Sequence, residues 1–260
     1  MHNLGTSCIV LIFALTIGAG FPNTALGGMN DPNQFIVKDG RLPTVEEVLQ
    51  KHGVQLTVPA LVQALKSTDP QVRSAAAAKL EQDHVGEAIP AIQEALRSEQ
   101  IPMIRVSLAS SLARFGEAEG FDSLIDVCIN PDMPPYLKAI STRLMLDLKR
   151  EDNSCRDALI EALQSGEGGS DFLREAVKLL LKFHDLSPEQ SQEIFQSVAR
   201  ALSSPESSPS MRLAASMVIG MIGKSAAIPY LQSAVNREED SNIRSAMQEA
   251  LSRLQSEEKR

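Results

Sequence analysis

Pro59-Ala-Leu-Val-Gln-Ala-Leu65, followed by Asp69-Pro-Gln-Val-Arg73 and Ala75-Ala-Ala-Ala-Lys-Leu80, sets the architecture of this chain. Leu61 and Leu65 stand four residues apart, and Val72, Ala76 and Leu80 repeat the same interval, so two short amphipathic helices are predicted on either side of a polar turn. The pair recurs. Val72-Arg73 returns as Ile104-Arg105, Leu137-Lys138, Leu173-Arg174, Met211-Arg212 and Ile243-Arg244, at spacings of 32 to 38 residues. Eight positions after each apolar member comes another: Leu80, Leu112, Met145, Leu181, Ile219 and Leu251. Ahead of each runs a further amphipathic segment, marked by Leu61 and Leu65, Ile92 and Leu96, Leu124 and Val127, Leu159 and Leu163, Val198 and Leu202, and Leu231 and Val235. Thr57-Val-Pro-Ala-Leu61, Ala88-Ile-Pro-Ala-Ile92 and Ala227-Ile-Pro-Tyr-Leu231 place Pro where a helix begins, since first-turn amides have no helical partner. Asp69, Ser170, Ser208 and Asp240 each precede the recurring basic residue by four positions and are predicted N-caps.

Fixed self-similarity at this period identifies stacked helical repeats. Pro59 to Leu65 with Asp69-Pro-Gln-Val-Arg73 resembles a HEAT repeat of the short type found in phycobilisome lyase-like proteins, and the resemblance extends over about residues 57 to 256. It implies an all-α, right-handed α-α superhelical solenoid of about six helix pairs. The third to fifth units are lengthened by Asn130-Pro-Asp-Met-Pro-Pro135, Ser165-Gly-Glu-Gly-Gly-Ser170 and Ser203-Ser-Pro-Glu-Ser-Ser-Pro-Ser210. Upstream, Thr44-Val-Glu-Glu47 reads as a capping box, with Val45, Val48 and Leu49 on one stripe and Gly53 as a stop. The organisation expected is a leader at 1–27, a flexible lead at 28–43, a capping helix at 44–56, the repeats at 57–256 and a polar tail at 257–260.

The apolar run Cys8 to Phe21 precedes the first charged residue, Asp31, and small Ala25 and Gly27 stand before Gly28. At about 1.5 Å per residue this run is too short for the roughly 30 Å bilayer core, so a signal peptide and an exported protein, periplasmic or extracellular, are expected. An uncleaved membrane anchor is the alternative. Removal of the leader leaves Cys128 and Cys155. Taking Leu124 and Leu159 as equivalent positions puts these cysteines near opposite ends of parallel helices, roughly 15 Å apart, beyond disulfide reach; two buried thiols are expected.

A net charge of -8 argues against nucleic acid as a partner, and 4% aromatic residues with no Trp leave little for base or sugar stacking. His84 and His184 fall in the first and fourth units, too far apart to share a metal ion, and His52 is expected at a helix C-terminus. No His-Glu dipeptide occurs, so the likeness to metal-binding HEAT hydroxylases stops at the fold. Neither cysteine has a His in register to act as its base, and Gly166-Glu-Gly-Gly169 is a turn rather than a phosphate cradle. No catalytic residue, cofactor or metal site is therefore assigned. The basic ladder of Arg73, Arg105, Lys138, Arg174, Arg212 and Arg244 is expected to be structural, paired with carbonyls or with acidic residues such as Asp69, Glu99, Asp132, Asp171, Glu206 and Asp240. Solvent-facing positions of a concave groove are expected two and six places after each ladder apolar residue. Val106, Ser110, Ala139, Arg143, Glu175, Leu179, Leu213 and Met217 are the central ones, and inter-repeat packing is the competing reading for them. The function expected is non-catalytic binding of a protein or peptide, without membrane insertion after processing. A chromophore lyase or isomerase, which the resemblance also suggests, and a membrane-tethered adaptor are the alternatives.

Overall fold

The computed structural model describes residues 43–258, and every regular element among them is a helix. The leader and all but the last residue of the lead lie outside the described residues, as do positions 259 and 260 of the tail. After α1 (Val45–Lys51) come six helix pairs: α2 (Val58–Ala64) with α3 (Pro70–Gln82), α4 (Ile89–Ser98) with α5 (Pro102–Arg114), α6 (Ala118–Ile129) with α7 (Pro135–Asp147), α8 (Asn153–Ser165) with α9 (Gly169–Leu180), α10 (Pro188–Ser203) with α11 (Pro209–Gly223), and α12 (Ile228–Arg237) with α13 (Ser241–Glu258).

The helix starts follow local chemistry. Pro59, Pro70, Pro90, Pro102, Pro135, Pro188 and Pro229 stand at the first or second position of their helices, where no amide is needed. Asp69 caps α3 by accepting the Gln71 amide at 2.8 Å, Ser208 accepts that of Met211 at 3.1 Å and Asp240 that of Asn242 at 2.8 Å. Ser170 does not cap: α9 opens on Gly168 and Gly169, both with positive φ, and Ser170 lies inside it. Thr44 and Glu47 exchange bonds of 2.8 and 3.2 Å with each other's amides, completing the capping box of α1.

The chain divides into two compact units, the first ending at Val127 and the second beginning at Cys128. Within the first, α1, α2 and α5 pack on α3, and α4 packs on α5. No residue of α3 or α5 is exposed. Ala75 to Ala78 and Ala109 keep these second helices narrow, so their backbones approach closely. α6 comes nearer still: a Cβ at Gly120 would stand 2.4 Å from the Ala113 amide nitrogen and 2.6 Å from the Ala109 oxygen. Within the second unit, α7, α9, α11 and α13 pack in series as one layer, and α8, α10 and α12 form the other. Leu159, Leu180, Val198, Ile219, Leu231 and Met247 lie in its shared core, and Phe195 meets Tyr230 edge to face at 5.4 Å.

Cys128 and Cys155 form a disulfide with their Cα atoms 5.0 Å apart, contrary to the separation expected from the repeat register. Helix α7 supplies the reason. The Cys128 sulfur sits against the Thr142 hydroxyl at 3.5 Å and the Cys155 sulfur against Met145 at 3.9 Å, so both cysteines lie beside the C-terminal half of α7. Three residues on one helix span only about 4.5 Å. The turn from Asn130 to Pro134 lets the end of α6 overlap α7, and the equivalence of Leu124 with Leu159 does not carry over to the levels of these side chains. Replacing both cysteines by alanine is expected to lower stability by about 3 kcal/mol for a closed loop of 27 residues, measured by urea unfolding, and reductant should bring the wild type close to the variant.

Candidate functional site

Four members of the basic ladder close the turn inside their own helix pair. Arg73 donates to the Ser67 carbonyl at 2.9 Å, Arg105 to Leu96 at 3.5 Å, Arg212 to Ser207 at 2.6 Å and Arg244 to Glu238 at 2.7 Å. These carbonyls belong to the last turn of the first helix or to the loop after it, where helical partners run out. Two of the four also reach the next pair. Arg73 grips Glu99 through two nitrogens at 2.7 Å each, and Arg212 grips Glu238 at 2.7 and 3.0 Å. Both carboxylates are almost wholly enclosed, with side chains 3% and 2% exposed, and both occupy the C-cap of a first helix. Glu99 also accepts the amides of Gln100 and Ile101, and Glu238 that of Asp240. A buried pair of this kind is tolerable because each oxygen is satisfied. Arg174 departs from the pattern and pairs with Asp171 on its own helix, α9 opening on Gly168 and Gly169 in the left-handed region without a side-chain cap. Lys138 is buried, with its carbonyl accepting from Thr142 at 2.9 Å.

The expectation of a solvent-facing groove fails at four positions. Val106, Ser110, Ala139 and Leu179 are 0 to 4% exposed. The side of the second helices on which they were placed faces neighbouring helices: Ser74 on α3, which occupies the same repeat position as Val106, meets Ser107 on α5 with hydroxyls 2.6 Å apart. Arg143 and Glu175 are half-buried and joined at 3.2 Å, tying α7 to α9. Leu213 packs partly against the core of the second unit. Met217 alone of the eight is open, at 56%, and Met221 one turn further along α11 is 49% exposed. These two methionines are the largest apolar exposure on any one helix among the described residues.

The histidines are dispersed. His184 is exposed and pairs with Glu151, holding that carboxyl below the usual range, while His52 donates to the Val48 carbonyl at 2.8 Å, at the helix C-terminus where it was expected. Among the described residues, no three His, Cys, Asp or Glu side chains gather as a metal site, and no helix is long and apolar enough to cross a membrane.

Glu238 was missed in the sequence, although its signal was present: Glu99 and Glu238 each follow their arginine by 26 residues. The hydrogen bonds from Arg212 hold the Glu238 carboxyl below the ordinary glutamate range and raise the guanidinium in turn. Ionised Glu238 therefore contributes stability that is complete above the unfolded value of about 4.3 and is lost as pH falls through the lower, folded value. Urea unfolding at pH 5 and pH 3 is expected to show a smaller acid loss in Glu238→Gln than in the wild type. Arg212→Ala, which strands the carboxylate, should cost about 3 kcal/mol at neutral pH.

Residues 58–145 match the family model of HEAT repeats. No curated protein matches the chain. Among solved structures, human deoxyhypusine hydroxylase in complex with glycerol aligns with 94% of this chain and 88% of its own at 16% identity and a TM-score of 0.38. An engineered protein aligns with 94% of this chain and 96% of its own at 18% identity and a TM-score of 0.28. The helix pairs that follow the matched residues continue the same alternation to Glu258.

Proposed function

We propose that the protein is an exported, non-catalytic scaffold that binds a protein or peptide partner through the second unit, with Met217 and Met221 at the centre of contact. The observation that carries this reading is the exposure of both methionines on a helix whose other large apolar side chains are buried or half-buried. Methionine is flexible and polarisable, and such side chains suit a surface that adapts to an apolar partner. The charged groups of the ladder point the same way. Arg73, Arg212 and Arg244 direct their guanidinium groups to carbonyls and carboxylates of the fold, as a structural ladder would. Export is supported by the Cys128–Cys155 disulfide, a bond that persists in oxidising compartments, together with the apolar run before Asp31.

A photo-crosslinking residue at Met217 in the full-length protein, expressed in its native cells, tests the reading. One stoichiometric adduct in an envelope or secreted fraction is expected, and Met217→Glu with Met221→Glu should abolish capture of that partner. Both side chains face solvent, so the double variant should melt within about 1 kcal/mol of the wild type. Capture undiminished in the folded variant would move the binding surface elsewhere, and visible absorption by the purified protein would favour the chromophore enzyme.

A further inference from the structure

Met217 and Met221 stand one turn apart on α11, so their thioethers share a face of the helix. Both are exposed, whereas Met103, Met145 and Met247 are buried and Met133 and Met211 are half-buried. A thioether reacts only with an oxidant that reaches its sulfur, and the accessible pair is therefore the first to do so. Thiolates would compete for the same oxidant, but the two cysteines among the described residues are joined to each other. Sulfur open to a small oxidant is thus concentrated on one turn of α11.

The fold does not depend on these two side chains. Ala214, Ala215, Val218 and Ile219, all buried, hold α11 in the core of the second unit, and none of them carries sulfur. An oxygen added to Met217 or Met221 projects into water rather than into that core. The change is local: a flexible apolar side chain becomes a polar one. On Met247, which lies within the shared core, the same change would bury a polar group without a partner. Exposure therefore separates a harmless reaction from a damaging one.

We propose that Met217 and Met221 form a paired oxidation site that switches off docking on this face, an inference that rests on the partner surface proposed above and adds its regulation. The oxidant is a peroxide. A sulfur lone pair attacks one peroxide oxygen, the S–O bond forms as the O–O bond breaks, and the departing oxygen takes up the proton carried by the transferred one and leaves as water. Each sulfur is oxidised by two electrons and each peroxide is reduced by two. The sulfoxide presents a polar oxygen where an apolar partner needs a thioether. Methionine sulfoxide reductases return the thioether, so the site can be reset.

Treatment of the intact protein with hydrogen peroxide, followed by tryptic digestion, reads the chemistry, because the peptide 213–224 carries both residues and no other methionine. One added oxygen on each is expected while Met103, Met145 and Met247 keep their thioethers, and the oxidised protein should melt within about 4 °C of the untreated one. The protein crosslinked at Met217, once purified, is then titrated against both forms. Oxidation is expected to weaken its binding by about tenfold or more, the loss that follows when one thioether no longer leaves water, and sulfoxide reductase should restore it. Met217→Leu with Met221→Leu keeps the apolar surface without sulfur, and its binding should withstand the same treatment. Buried methionines oxidised alongside the pair, binding unchanged once both sulfoxides have formed, or an equal loss in the leucine variant would overturn the proposal and leave the docking face in place. Absence of an adduct at Met217, or undiminished binding by Met217→Glu with Met221→Glu, would instead remove the docking face and its switch with it.

Discussion

Two antiparallel helices joined by a short turn leave the last carbonyls of the first helix without helical partners, and every pair in this chain has to meet that shortage. Where the turn ends in an aspartate or serine cap, an arginine near the start of the second helix folds back over it and donates to carbonyls at the end of the first helix or in the turn. Arg73, Arg212 and Arg244 do this at 2.6 to 2.9 Å, and their planar guanidinium has nitrogens to spare. The spare nitrogens of Arg73 and Arg212 meet a glutamate from the following pair. One side chain thereby closes its own turn and aligns the next unit, which makes the distance between units depend on the geometry inside them.

What could be read in advance was what depends on chain neighbours. Helix starts at proline, the capping box of α1, the aspartate and serine caps and the alternation of pairs all rest on residues a few positions apart. Rotation of one helix against another rests on residues more than thirty positions apart and was less legible. A turn of α3 by part of a revolution decides whether Ser74 faces solvent or Ser107, and the shared period does not specify it. The same gap in knowledge hid the disulfide, since the levels of Cys128 and Cys155 are measured along α7 rather than along the helices that carry them. Arg174 shows the converse. It fits the ladder in sequence, yet the two glycines that open α9 alter its start, and the side chain stays with Asp171.

The candidate surface is defined by subtraction. Small side chains on the second helices of the first unit draw those helices together until no residue of α3 or α5 is exposed. In the second unit the core is built from larger residues, and α11 turns Met217 and Met221 outward. A position equivalent in the repeat can thus be core in one pair and surface in another, depending on how closely its neighbours approach.

The joints between pairs are keyed. Glu99 is the key between the first pair and the second, Gly120 between the second and the third, the cysteines and the Arg143–Glu175 contact between the third and the fourth, and Glu238 between the fifth and the sixth. Two of these joints share one device, an arginine and a C-cap glutamate 26 residues on, and the others differ. Gly120 tolerates no side chain because the backbone of α5 occupies the space a Cβ would need, and a pair transplanted from elsewhere in the chain would bring one. The helix pairs resemble copies of a single module, yet at the joint closed by Gly120 the third pair could not be replaced by another without a side chain meeting the backbone of α5.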